Sequence, residues 1–249
     1  MNMKLITSAL GWTRTSTGRV IALIALGVGA VAWQHVASAE QAVRIPPPTQ
    51  DEKAAGAHTE TAVFAGGCFW GVQGVYEHVK GVKQVASGYS GGAAGTAQYE
   101  TVSGGDTGHA ESVSITYDPT QITYGRLLQI FFSVVHNPTE LNYQGPDHGT
   151  QYRSAVFPQN AQQRTIAQAY IAQLNGAKVF SAPIVTRVEE FKGFYPAEAY
   201  HQNFLVRHPD YPYIAINDMP KIDQLKQMFP DVYRSEPVLL KASASSSAS

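Results

Sequence analysis

The scarcest residue in this 249-residue chain is cysteine: there is one, Cys68. A single thiol excludes an internal disulfide and every metal or redox motif built on paired cysteines. No HExxH occurs, and the glycine-rich loops carry no Walker lysine pattern. Eight histidines are present, but His136, His148, His201 and His208 have no ligand-like spacing. His109-Ala110-Glu111 has the H-x-E form of zinc deaminases without their cysteine pair, so no metal site is expected. Charged residues make up only 15% of the chain and the net charge is −1, so no basic patch points to nucleic acid.

Acidic residues are missing from the first 39 positions, which carry Lys4, Arg14 and Arg19. The apolar run Val20–Trp33 spans 14 residues, short of the about 20 a membrane span needs. It fits the apolar region of a secretory signal, and Ala37-Ser38-Ala39 is a small-x-small cleavage pattern. Residues 1–39 are therefore expected to be a signal peptide and the protein to be exported, to the periplasm in the simplest case. The alternative is membrane anchoring by an uncleaved signal, because the basic segment is long. Cleavage removes three of 18 basic residues and none of the 19 acidic ones, leaving a net charge of −4.

Residues 40–58, with their three consecutive prolines, read as a linker. Residues 59–235 read as one folded domain, and 236–249 as a disordered Ser/Ala tail. Within the domain, Thr61–Phe64 reads as a strand, broken by Gly66-Gly67, with a helix from Phe69 to Val79. Glu111–Tyr117 alternates as a strand. Thr123 is placed to cap a helix reaching Val135. Arg153–Phe157 and Ile184–Val188 read as strands, and Asn160 with Gln163 reads as a capping box for a helix to Leu174, stopped by Asn175-Gly176. Interleaved strands and helices imply an α+β fold, a two-layer α/β sandwich.

The lone cysteine follows two glycines and precedes Phe69 and Trp70. A strand–Gly-Gly–helix junction puts Cys68 at a helix amino end, where free N–H groups favour a thiolate. The competing reading is a buried core thiol. Glu111 shares a strand face with Val113, Ile115 and Tyr117. If that face is the core, its carboxyl is desolvated and held protonated as a general acid; if not, it is a rim residue in water. Tyr99 and Tyr152 lie in polar, glycine-rich loops, where a phenol can donate to a developing oxyanion or simply pack on the surface.

Five segments carry a resemblance: GCFWG at Gly67–Gly71, GYSGG at Gly88–Gly92, SGGDTGHAE at Ser103–Glu111, DHGTQYRSA at Asp147–Ala155 and FYPAEAYHQ at Phe194–Gln202. In this order, over about residues 59–233, they resemble the peptide methionine sulfoxide reductase A family, which acts on the S epimer. The resemblance implies a ferredoxin-like sandwich. It implies Cys68 as nucleophile, Phe69 and Trp70 as the wall for the substrate methyl group, and Glu111 as the acid that protonates the sulfoxide oxygen. It further implies that Tyr99 and Tyr152 hydrogen-bond that oxygen and that Asp147 supports the site. The products are methionine and a sulfenic acid on Cys68, with no bound cofactor. Many members carry a resolving cysteine in the ETV segment or near the carboxyl end; here Val102 fills the first position and the tail has none. The sulfenic acid then falls to an external thiol: a thioredoxin-like or glutaredoxin-like protein, or a small thiol. The substrates are oxidised proteins or free methionine sulfoxide, and the chain is expected to work as a monomer. Two other functions remain open on the residues alone. One is cysteine-dependent acyl transfer, for which His78 is the nearest candidate base. The other is a non-catalytic module holding a thioether in an aromatic pocket.

Overall fold

The computed structural model describes residues 41–53 and 58–241. The signal segment 1–39 and the tail beyond residue 241 lie outside the described residues. The strand read at Thr61–Phe64 is the middle of β1 (Glu60–Gly66), which feeds α1 (Phe69–Glu77). Then come β2 (Val82–Ser90), α2 (Tyr99–Val102), β3 (Ala110–Tyr117) and α3 (Tyr124–Ile130), which runs on through a wider turn over Phe131–Val135. A two-strand ribbon, β4 (Tyr143–Gln144) and β5 (Asp147–His148), precedes β6 (Ser154–Val156) and α4 (Ala161–Ala177). Last are β7 (Arg187–Val188), β8 (Phe194–Pro196), α5 (Phe204–Arg207) and α6 (Met219–Met228).

The main sheet is mixed, in the order β7-β6-β1-β3-β2-β8. Only β6 and β7 run parallel; β1 and β2 both pair antiparallel to β3. Alternation along the strands sorts their side chains between two clusters. Ala62, Phe64, Val113, Ile115, Tyr117 and Tyr89 join the helices in the large core. Val63, Ala65, Ala110, Ala155 and Phe157 form a small second cluster, packed by Phe191 and Phe194 and joined by no helical residue. Phe64 sits centrally in the large core, its ring 5.0–5.9 Å from those of Tyr76, Tyr124 and Phe131. Complete burial of such a ring stabilises the fold by about 3 kcal/mol.

Residues 41–53 correct the linker reading. The prolines hold this stretch extended, which frees its carbonyls as acceptors. Gln129 donates to the Ile45 carbonyl at 3.0 Å and Tyr170 to that of Pro46 at 2.7 Å. Its acidic end completes the start of α3. Glu52 accepts from the Tyr124 N–H at 2.6 Å, Asp51 from Gly125 at 2.8 Å, and the predicted cap Thr123 from Arg126 at 3.2 Å. The first three free N–H groups of that helix are thereby satisfied. The tail is also docked at its start: Val238 donates to the Glu77 carbonyl and Leu240 to the Asn203 side chain, both at 2.9 Å.

Candidate active site

Cys68 caps α1 with extended backbone (φ −54, ψ 121), and its thiol is half-buried. Gly67 makes the turn possible. Its φ is +88, and a Cβ there would meet the Gln144 side chain at 2.7 Å. The first helical N–H after the cysteine, that of Phe69, donates to Glu111 Oε2 at 3.0 Å. Glu111 is the second residue of β3 and is only 4% exposed, so strand alternation did point its carboxyl inward. Burial lifts its pKa from 4.5 to about 8; the Phe69 N–H pulls it down, and Asp147 and Asp218 push it up. The acid is therefore protonated at neutrality. With Oε2 accepting from the backbone, Oε1 is the oxygen left to carry the proton.

The thiolate expectation is corrected. Burial pushes the Cys68 thiol well above its usual range, and the charges of Glu111, Asp218 and Asp147 push it further; the Trp70 backbone N–H works in the opposite direction. Desolvation among carboxyl groups outweighs the helix amino end, and the resting sulfur is a thiol.

The phenols face the same centre. Burial and then the Glu111 charge raise the pKa of both Tyr99 and Tyr152, and Cys68 acts on both as well. Tyr99 is held by Glu198, which accepts from its backbone N–H and from the Tyr89 hydroxyl, each at 2.9 Å. Tyr152 ends a tight turn just before β6. The next residue, Arg153, donates to the carbonyls of His109 and Thr150 and pairs with Glu189 at 2.8 Å. That guanidinium ties the loop before Glu111 to the loop of Tyr152. Asp147, in the β4–β5 ribbon, accepts a hydrogen bond from Tyr213. Burial raises its pKa too.

Trp70 is half-buried and its indole is fixed on two sides. Nε1 donates to His201 Nδ1 at 3.1 Å, and the ring stacks on Phe204 with centroids 4.0 Å apart. His201, lowered by burial, accepts as the neutral imidazole. Phe69 is 1% exposed, its ring against Tyr89 and His201, so it backs this wall rather than forming its open surface. A buried amide network holds the FYPAEAYHQ segment here. Gln202 donates to the Ser87 carbonyl and accepts the Ser87 N–H, and Gln73 accepts from Ser87 Oγ and the Asn203 N–H, all at 2.9 Å.

Six of the seven sequence-predicted residues thus gather around the seventh, Cys68. Sequence reasoning missed Tyr213, Asp218 and His201. His201 lay inside a quoted motif without a role. Tyr213 and Asp218 carried no signal, being one tyrosine among 13 and one of 19 acidic residues. His109 is structural: Nδ1 accepts from Gly92 N–H at 3.2 Å and Nε2 meets the Ala93 carbonyl at 2.9 Å. Among the described residues, no three His, Cys, Asp or Glu side chains are placed to hold a metal ion.

A half-buried thiol, a protonated buried acid and neutral phenols beside an aromatic wall can deliver a proton to a polar oxygen while sulfur attacks its neighbour. The comparisons agree with that chemistry. A family model described as peptide methionine sulfoxide reductase matches residues 60–232. The chain is 64% identical over 190 residues to peptide methionine sulfoxide reductase MsrA 2 of Mesorhizobium japonicum, covering 76% of this chain and 97% of that one. It is 53% identical to the protein of the same name from Synechocystis, over 72% of this chain and 83% of that one. Among solved structures, reduced Mxr1 from Saccharomyces cerevisiae superposes with a TM-score of 0.55 at 33% identity, over 64% of this chain and 90% of that one. Methionine sulfoxide reductase A of Corynebacterium diphtheriae gives 0.53 at 29% identity, over 69% and 89%. The chain belongs to the peptide methionine sulfoxide reductase family, on its A branch.

Proposed function

We propose that this enzyme reduces the S epimer of methionine sulfoxide through a sulfenic acid on Cys68 that an external thiol clears. The observation that carries the reading is the contact between the first N–H of the cysteine helix and a buried, protonated Glu111. Sulfoxide oxygen leaves poorly unless protonated. Glu111 supplies that proton, the Tyr99 and Tyr152 hydroxyls orient the oxygen, and the Cys68 sulfur attacks the sulfoxide sulfur. The attack forms a transient S–S bond; that bond and the substrate's S–O bond break as the hydroxyl passes to the Cys68 sulfur, which forms its own S–O bond and releases the thioether. Two electrons pass from cysteine to substrate, and the thiol's proton is replaced by the hydroxyl of the sulfenic acid. The thiol proton leaves as sulfur attacks and restores the acid form of Glu111. Asp147, held by Tyr213, keeps Glu111 protonated through its own charge.

With one cysteine in the chain, no internal disulfide can resolve the sulfenic acid. A thiol from solution or from a thioredoxin-like or glutaredoxin-like protein attacks instead, releasing water and leaving a mixed disulfide that a second thiol cleaves. The exported reading of residues 1–39 would put oxidised extracytoplasmic proteins among the substrates. The order β6-β1-β3-β2, with α1 and α3 in the two crossovers, supports reading the central strands as a ferredoxin-like sandwich.

Stoichiometric S-sulfoxide with limiting small thiol should leave Cys68 carrying one adduct of that thiol, seen by intact mass. Turnover without any adduct on Cys68 would overturn the resolution step. The R epimer should persist on chiral separation; equal loss of both removes the stereochemical assignment. Trp70→Ala should raise KM for the sulfoxide about tenfold and blunt its discrimination from the sulfone, since the fixed indole forms the apolar wall. Unchanged discrimination in competition assays would take Trp70 out of that role.

A further inference from the structure

Asp218 ends the wide helical turn Ile214–Asp218 just before α6 and is completely buried. Its Oδ1 accepts from Lys221 at 3.1 Å, while Oδ2 has no hydrogen-bond partner among the described residues. A buried carboxyl satisfied on one oxygen only is costly, and structural carboxyls are normally fully bonded. Its position explains where the cost is used. The carboxyl lies against Gly71, in the first turn of the helix that Cys68 caps; a Cβ on Gly71 would sit 2.1 Å from Oδ1. The groups facing Asp218 come from every side. They are Lys221 from its own helix, Cys68 from the start of α1, Glu111 from β3, Asp147 from the β4–β5 ribbon, and Tyr213 five residues earlier.

We propose that Asp218 is a positioning residue that keeps the reacting pair protonated: packed beneath the first turn of α1, its charge opposes ionisation of both the Cys68 thiol and the Glu111 carboxyl. Burial raises the pKa of Asp218 itself, the Lys221 ammonium at 3.1 Å pulls it back down, and Gly71 supplies the room. The site then holds both protons until a sulfoxide oxygen arrives to take one. The consequence for turnover rests on the reductase reading above; the effect on the thiol does not.

The closing experiment therefore uses two readouts on the full chain. In Asp218→Asn, the pH profile for alkylation of Cys68 by iodoacetamide should move to lower pH, with alkylation at neutral pH about threefold faster. The alkaline fall of single-turnover reduction should move to lower pH with it. An unmoved alkylation profile in a folded variant overturns the proposal, because a purely structural role would alter stability and leave the thiol's titration in place. Should the single variant fail to fold, as judged by circular dichroism, the double variant Asp218→Asn with Lys221→Met removes the pair together and avoids a lone buried ammonium. It should show the same shift, smaller in size, and no shift there is equally fatal. A moved alkylation profile in a protein that reduces no sulfoxide would uphold Asp218 and sink the reductase reading instead.

Discussion

Cys68→Ser is expected to abolish sulfoxide reduction, lowering single-turnover and steady-state rates by at least about 10³-fold, while substrate still binds. Serine replaces the thiol with nearly the same volume at a half-buried cap, so the helix start is preserved. Its hydroxyl is a far weaker nucleophile toward sulfur and cannot be oxidised to a sulfenic acid. The groups that hold the substrate are untouched: Trp70 keeps its bond to His201 and its stack on Phe204. Binding followed by indole fluorescence should therefore change by no more than a few fold. The pairing of lost turnover with retained binding separates the enzyme from a module that merely holds a thioether, which would be indifferent to the change in both assays. Substantial reduction by the serine variant would end the nucleophile assignment.

How much of this was legible in the sequence depends on whether a residue's neighbours were local. The inward direction of Glu111 followed from three alternating apolar residues on its own strand, and all of them are in the core. The Asn160 cap was equally local, its side chain accepting from Gln163 N–H at 2.8 Å. Predicted boundaries failed where a distant partner took over. The α4 helix runs through Asn175-Gly176 to Ala177 because the Asn175 side chain accepts from Ile184 N–H at 2.9 Å, and the chain turns only at left-handed Lys178. That bond, with the one from Val185 N–H to the Pro138 carbonyl, also takes the start of the predicted strand Ile184–Val188, so only Arg187–Val188 pair.

The one long strand that went unread is β2, although it lies inside the sheet. Its alternation is broken by a register shift between Val82 and Gln84, and Gly88 interrupts it again, packed under Phe194 and the Tyr195 carbonyl of β8. The site was half legible for the same reason. Cys68, Phe69 and Trp70 share one junction, and Glu111 has a pattern. Tyr213 and Asp218 reach the thiol only because the carboxyl-terminal segment folds back over α1, and nothing in their own surroundings announces it. The protonation state was misjudged likewise: a helix amino end is visible in a sequence, whereas three carboxyl groups arriving from three other elements are not.

Glu111→Gln should give the second large effect and also fix the acid's role by its pH dependence. Glutamine keeps the size and can still accept the Phe69 N–H, but its amide has no proton to transfer, so single-turnover reduction should fall by about 10²- to 10⁴-fold. In the native enzyme that rate should decline as pH rises through about 8, where Glu111 loses its proton. The variant should be slow and flat across the same range. Cys68 should remain alkylatable, and at high pH more readily than in the native enzyme, since a negative charge beside it is gone. Stability should move the other way from activity. The folded state holds the Glu111 proton up to about pH 8, against an ordinary value of 4.5, so between those values the unfolded chain binds fewer protons than the folded one. Native stability therefore drops as pH rises, by about 1.4 kcal/mol per pH unit within that window. Glutamine does not titrate and escapes the loss. The melting temperature of Glu111→Gln relative to the native protein should climb from acid pH to about pH 8 and level off above it. A constant difference across pH would mean that the carboxyl is solvated and ionised at neutrality, and a proton donor for the sulfoxide would have to be sought elsewhere.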